Sequence, residues 1–164
     1  MVITSNFDSP SNGPWSTNEI YQIKDDLGNV IDEVNYDDDG ITWPVDEDGV
    51  SIYLDKTTAQ IQASGESDNN NGCNWSESKI GDDDAYVATD GHIGSPGIIT
   101  VDNESGTIVI TEILYNPVSP EAGQEWVEIA NTTSSTVSLT GWTFADIEDG
   151  HVLSLSGSIA AFGV

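Results

Sequence analysis

The chain has no arginine and only three lysines, Lys24, Lys56 and Lys79, against 29 aspartates and glutamates, giving a formal net charge of -26 over 164 residues. Phosphate contacts depend on basic side chains, so no direct nucleic-acid binding is expected, and an anionic membrane surface repels such a chain. No run approaches the roughly 18 apolar residues of a spanning helix, so no membrane insertion is expected either. Cys73 is the single cysteine. That excludes an internal disulfide and a thiolate zinc site, and within the polar run NNNGCNW it reads as an inert thiol. Neither a charged n-region nor an apolar h-region follows Met1, so no signal peptide is visible. A chain beginning inside a domain would lack its parent's signal, so this does not argue for the cytoplasm. Solvent rich in salt or divalent cations screens the self-repulsion, and an extracellular or cell-surface setting is expected.

Apolar residues make up 37% of the chain, with five Trp and five Tyr, enough to build a core rather than a disordered acidic tail. Helical periodicity is absent, and alternation at period two recurs. Strands are expected at Val2 to Thr4, Ile20 to Lys24, Val30 to Tyr36, Val50 to Leu54, Ile108 to Tyr115, Glu125 to Ala130, Thr136 to Leu139, Thr143 to Ala145, Val152 to Leu155 and Ala161 to Val164. Turn signals such as Asp26-Leu27-Gly28-Asn29, Asp48-Gly49, Asp90-Gly91 and Asp149-Gly150 separate them. Short strands at that spacing predict an all-β sandwich. Lys56 to Asn74 and Asp82 to Gly94 read as surface excursions.

Three pieces of the second half, ITEILYN (Ile110 to Asn116), EWVEIAN (Glu125 to Asn131) and LTGW (Leu139 to Trp142), resemble the opening half of a lamin-tail domain. Residues Asn29 to Gly97 resemble the closing half of the same family, through NVIDEVNY, a Trp-Pro, GVSIYL, DNNNGCNW and GSPG. The resemblance implies an immunoglobulin-like two-sheet β-sandwich, circularly permuted or swapped, because the closing half precedes the opening half. The chain divides accordingly into residues 1–97 as the closing half, 98–107 as a linker and 108–164 as the opening half, together one sandwich. In the family's order HVLSLSGSIAAFGV would lead into VITSN, so the two chain ends are expected side by side. A ten-residue linker spans about 33 Å when extended, and a typical strand about 17 to 20 Å, so the linker can cross the sandwich. An intramolecular partner sits at about millimolar effective concentration. A self-closed monomer is therefore expected over a swapped oligomer, although edge strands at a cut invite partners.

Trp126, Trp142, Ile110, Ile113, Val127, Ile129, Leu139, Val34 and Leu54 are the expected core. Trp43, before a proline, reads as a half-buried lid, and Trp15 and Trp75 as loop residues. Glu125 and Glu128 raise the thought of a glycosidase acid and base, but residues three apart on a strand point to opposite faces, which favours structural roles. His92 and His151 lie in no nucleophile-elbow pattern, and nothing favours a catalytic triad. Acidic turns are the one site-like signal. Asp37, Asp39, Asp46 and Asp48 bracket Ile41 to Val45 and form a candidate calcium site, since calcium takes six to eight oxygens from flexible loops. The stretch Asp8 to Glu19 matches EF-hand offsets only by accident, because Pro10 replaces a ligand and no helices flank it. The expected function is that of a non-enzymatic binding or spacer module in a larger secreted or surface protein, with a protein or carbohydrate partner. The alternatives are a calcium-stabilised adhesion repeat and an accessory domain of a hydrolase whose catalytic part lies elsewhere.

Overall fold

A computed structural model describes residues 1–4, 18–37, 41–45, 47–55, 69–81, 85–97, 107–118, 124–147 and 150–164. Thirteen strands run through these residues: β1 (Val2–Thr4), β2 (Asn18–Lys24), β3 (Val30–Asp37), β4 (Ile52–Leu54), β5 (Trp75–Glu77), β6 (Tyr86–Val87), β7 (Ile93–Gly94), β8 (Ile108–Leu114), β9 (Trp126–Asn131), β10 (Val137–Ser138), β11 (Thr143–Asp146), β12 (His151–Ser154) and β13 (Ser158–Ile159). A single 3-10 turn, Gly72–Asn74, is the one helical element among them. Every strand pairing is antiparallel. The main sheets have the orders β1-β9-β8-β4-β5 and β12-β11-β2-β3, and two small hairpin sheets pair β10 with β13 and β6 with β7. Each main sheet thus draws strands from both stretches, before residue 98 and after residue 107. The result is the expected all-β, immunoglobulin-like two-sheet sandwich.

Period-two alternation explains the inner faces. Tyr21 and Ile23 on β2, Val34 and Tyr36 on β3, and Phe144 on β11 face Val127 and Ile129 on β9 within one apolar cluster. Strand β8 contributes Ile108, Ile110 and Ile113 to that cluster, and Tyr115 follows just after it, an inward set that strict alternation forbids across 110 and 113. A bulge between Ile110 and Glu112 inserts one residue and resets the pleat, so both isoleucines point inward. All seven residues of β8 are buried, which requires cover on its outer face as well.

Aromatic packing departs from expectation. Trp43 is buried rather than a lid, set edge-on to Tyr36 at 5.3 Å and tilted against Trp75 at 6.0 Å. Trp75 lies in β5, not in a loop, and its indole N–H donates to the Asn69 carbonyl at 2.7 Å. Asn69 and Asn74 are buried, so that end of the supposed excursion is built into the fold, while residues 56–68 lie outside the described residues, as does Trp15. Trp142 packs half-buried against the core. Trp126 does not join it: Val127 and Ile129 already occupy the inward positions of β9, so the pleat turns Trp126 outward.

The two chain ends share one edge of β9. Val2 lies opposite Glu128 and Ile3 opposite Val127, while Met1 exchanges both backbone bonds with Ile129, at 2.8 and 3.0 Å. Two places further along β9, the Asn131 N–H donates to the Gly163 carbonyl at 2.8 Å, and the Phe162 N–H donates to the Thr133 carbonyl at 3.1 Å. On an antiparallel ladder hydrogen-bonded pairs recur every second residue. Gly163 therefore stands where the residue two before Met1 would stand, with room for Val164 alone between them. The expected strand at 161–164 is not a regular one, since Ala160 and Phe162 turn the chain, Phe162 at a φ of 51°. Gly163 nevertheless holds the same ladder as β1.

Candidate functional site

The outer face of the five-stranded sheet is roofed by residues 85–97. Glu112 and Glu128 are directly opposed across β8 and β9, and both are fully buried on this face. Two adjacent carboxylates away from water are costly unless their lone pairs are filled. Glu112 Oε1 accepts from Ser51 Oγ at 2.5 Å, from the Ser95 N–H at 2.7 Å and from Ser78 Oγ at 3.3 Å. Glu128 accepts from Thr111 Oγ1 at 3.0 Å and from the Gly97 N–H. The GSPG stretch, Gly94 to Gly97, is thereby a strap whose two backbone N–H groups are tied to the two carboxylates. Gly94 lets the strap lie this close, since a Cβ there would sit 3.0 to 3.2 Å from Ser51 Oγ, Glu112 Oε1 and the Trp126 ring and would press those groups back. Gly97, at a φ of 95°, turns the chain out again. Desolvation pushes both carboxyls above the ordinary glutamate value, against the pull of these hydrogen bonds.

His92 closes the other end of the strap. Its Nδ1 lies 3.1 Å from the Asp90 carboxylate, and its Nε2 accepts the Val118 N–H at 3.0 Å. Both ring nitrogens are thereby engaged, Nε2 by a backbone donor and Nδ1 by Asp90. Burial acts to raise the Asp90 carboxyl, but bonds from His92 outweigh it and hold the group below its ordinary value. The histidine anchors the loop to the Val118 backbone and to Asp90. His151 opens the edge strand β12 opposite Asp146, and its buried Nδ1 has no hydrogen-bond partner among the described residues.

Between the β6–β7 hairpin and the start of β9 lies a cleft of about 290 Å3. Trp126, Gln124 and Thr4 form one wall; Tyr86, Ala88, Asp90, His92, Gly94 and Pro96 form the other. The even numbering reflects period two, with alternate residues of the hairpin facing alternate residues of the sheet. Tyr86 pairs with Gly94, so no side chain stands across the hairpin from the phenol ring.

The candidate calcium ligands are only partly placed. Asp37 ends β3, and Asp48 lies in the turn before Val50, where its Oδ1 accepts from Asn116 Nδ2 at 3.0 Å. Asp39 and Asp46 lie outside the described residues. Among the described residues no three His, Cys, Asp or Glu side chains group as a metal cage. Sequence reasoning missed the Glu112 and Glu128 pair and Asp32. Asp32 accepts from the Ile110 N–H at 2.7 Å and from Asn69 Nδ2 at 2.8 Å, joining β3 of one sheet to β8 of the other. The available signal was a glutamate inside each of two mainly apolar strands.

Fold and geometry together define an immunoglobulin-like β-sandwich module. Residues 102–161 match the family model of the lamin tail domain, which agrees with the resemblance carried by ITEILYN, EWVEIAN and LTGW. No curated protein and no solved structure matches the chain. The motifs have physical roles here. The closing Asn131 of EWVEIAN donates through Nδ2 to the carbonyls of Ser135 and Ala160 at 2.8 and 2.9 Å and accepts the Thr133 N–H at 3.0 Å, pinning two loops. In LTGW the Trp142 N–H bonds the Leu139 carbonyl at 3.0 Å across a turn that needs Gly141 at a φ of 86°.

Proposed function

We propose that the chain is a non-catalytic spacer module of a larger secreted or surface protein, joined to its neighbours through the edge strand beside β9. The observation that carries this reading is the shared register of Gly163 and of residues 1–4 along β9, with one residue, Val164, between the Gly163 and Met1 places. A polypeptide passing from Val164 of one copy into Met1 of the next needs no added residue to keep that ladder. The second copy's β1 then completes the first copy's sheet edge. Modules joined this way share a hydrogen-bonded strand in place of a slack linker, which fixes their spacing and covers an otherwise exposed edge. The same register supports the reading of residues 1–97 and 108–164 as two halves in permuted order. The non-catalytic part is supported by engagement of the reactive groups: His92 Nε2, Glu112 and Glu128 are all held by internal donors.

The test is a tandem of two copies fused directly from Val164 to Met1, compared with a tandem carrying a flexible linker of about ten residues. The direct fusion is expected to melt higher and to protect the amides of Ile129 and Asn131 from exchange more strongly. A linked tandem as stable and as protected as the direct one would remove the spacer reading.

A further inference from the structure

We propose that the cleft between the β6–β7 hairpin and β9 binds a small organic ammonium ion, a quaternary or protonated amine, with Trp126 and Tyr86 as aromatic walls and Asp90 as counter-charge. The inference is independent of the spacer reading.

Four observations converge on that ligand class. Trp126 is the one residue of β9 that is not buried, although a large aromatic turned outward from a strand usually finds cover. It stands at the cleft instead, its ring edge fixed by the close approach of Gly94. Tyr86, across the cleft on a two-residue strand, is about half exposed at 51%, so a second ring is free to meet a ligand. Aromatic faces carry negative electrostatic potential and attract a cation that has shed its water, as quaternary ammonium groups readily do. The Asp90 carboxylate is held in place by His92 and remains half exposed, which fixes a negative charge in the wall. Among the described residues no lysine lines the cleft, and the chain's charge of -26 draws cations toward it.

Size and charge exclude the neighbouring classes. Pockets for drug-sized ligands start at about 300 Å3, so a cleft of about 290 Å3 suits a small head group rather than an oligosaccharide or a folded peptide. An anionic ligand would meet Asp90 with no cation to offset it. A neutral sugar would use the rings and the polar groups of Thr4 and Gln124 but would gain nothing from the charge.

Choline chloride is the probe, titrated into the full chain at about 0.3 M sodium chloride, where exposed charges further apart than about 6 Å are screened. Binding is read by calorimetry and by the Trp126 indole N–H resonance, assigned by its loss in Trp126→Phe. Saturation with a millimolar dissociation constant is expected. The neutral isostere 3,3-dimethylbutan-1-ol should bind at least about tenfold more weakly, since it lacks the charge that both the rings and Asp90 recognise. Tyr86→Ala removes an exposed ring without touching the core and should weaken choline about fivefold. Asp90→Asn keeps an acceptor for His92 and should weaken it by a similar factor. No saturation up to about 50 mM choline would overturn the proposal. So would equal binding of the neutral isostere, binding of methyl glucoside in preference to choline, or a choline response unchanged in both variants, which would mark diffuse counter-ion attraction.

Discussion

The two faces of the five-stranded sheet are held by different physics. Its inner face meets the second sheet through Ile110, Ile113, Val127 and Ile129 against Phe144, Ile23 and Val34, an apolar contact in which volume is what counts. Its outer face meets the 85–97 strap through Glu112 and Glu128, where each buried oxygen needs a named donor. The inner face tolerates changes that keep volume; the outer face tolerates changes that keep hydrogen bonds. Both faces join residues before 98 to residues after 107, so neither stretch has a complete core by itself.

Truncating the inner face should have the largest effect. Phe144→Ala removes a fully buried ring stacked on Tyr21 at 5.8 Å, and a loss of about 3 to 5 kcal/mol in urea unfolding is expected. Trp75→Ala should cost more than Trp126→Ala, because only the first is buried in the core. The reverse order would show that the outer face carries core-like energy.

On the outer face, Glu128→Ala leaves the Gly97 N–H and Thr111 hydroxyl without their acceptor, with an expected loss of about 1 to 3 kcal/mol. Glu128→Gln keeps an acceptor and should cost less. Hydrogen exchange at Ser95 and Gly97 should accelerate in the alanine variant while the β2 and β3 amides stay protected, which would separate the strap from the core.

Acidity distinguishes the faces further. Burial raises the folded-state values of Glu112 and Glu128 above their ordinary ones, so the folded chain binds protons more tightly than the unfolded chain. Their contribution is fully present below the ordinary glutamate value and is lost as pH rises through the raised folded values. Melting temperature should therefore fall as pH rises from the ordinary glutamate range toward neutrality, and the slope should flatten in Glu112→Gln/Glu128→Gln but not in Phe144→Ala. A slope unchanged in the double variant would assign it to general charge repulsion alone.

The smallest effect is that of salt. With 29 carboxylates against three lysines, sodium chloride should raise the melting temperature of every variant alike. Calcium added at fixed high sodium chloride isolates a bound ion from screening. A saturable further rise, lost in Asp37→Asn/Asp48→Asn, is what the calcium-stabilised alternative requires.

Much of the fold was legible because alternation at period two recurs in Ile20 to Lys24, Val30 to Tyr36 and Glu125 to Ala130, placing Tyr21 and Ile23, Val34 and Tyr36, and Val127 and Ile129 on the inner faces. Strands β5, β6, β7 and β13 were missed because each has only two or three residues, too short for alternation to show. Trp126 was misplaced for a different reason. Residue type favoured the core, yet Trp126 and Val127 are neighbours on a strand and cannot both point inward. The site was less legible still. Glu112 and Glu128 meet only after the bulge at Thr111 shifts the register, and their partners Ser95 and Gly97 approach from a different part of the chain. Nothing local in sequence announces a donor supplied by a strap.

Gly163 and Met1 occupy successive hydrogen-bonding places on one edge of β9, and backbone cyclisation tests this most directly. Joining Val164 to Met1 by a peptide bond should give a monomer that melts above the linear chain, with the Ile129 and Asn131 amides at least as protected. Inserting one residue at the join displaces the ladder by one place, which turns side chains to the opposite face, and should cancel the gain. A direct join that unfolds the chain, or that is no better than the join with one residue added, would contradict the account.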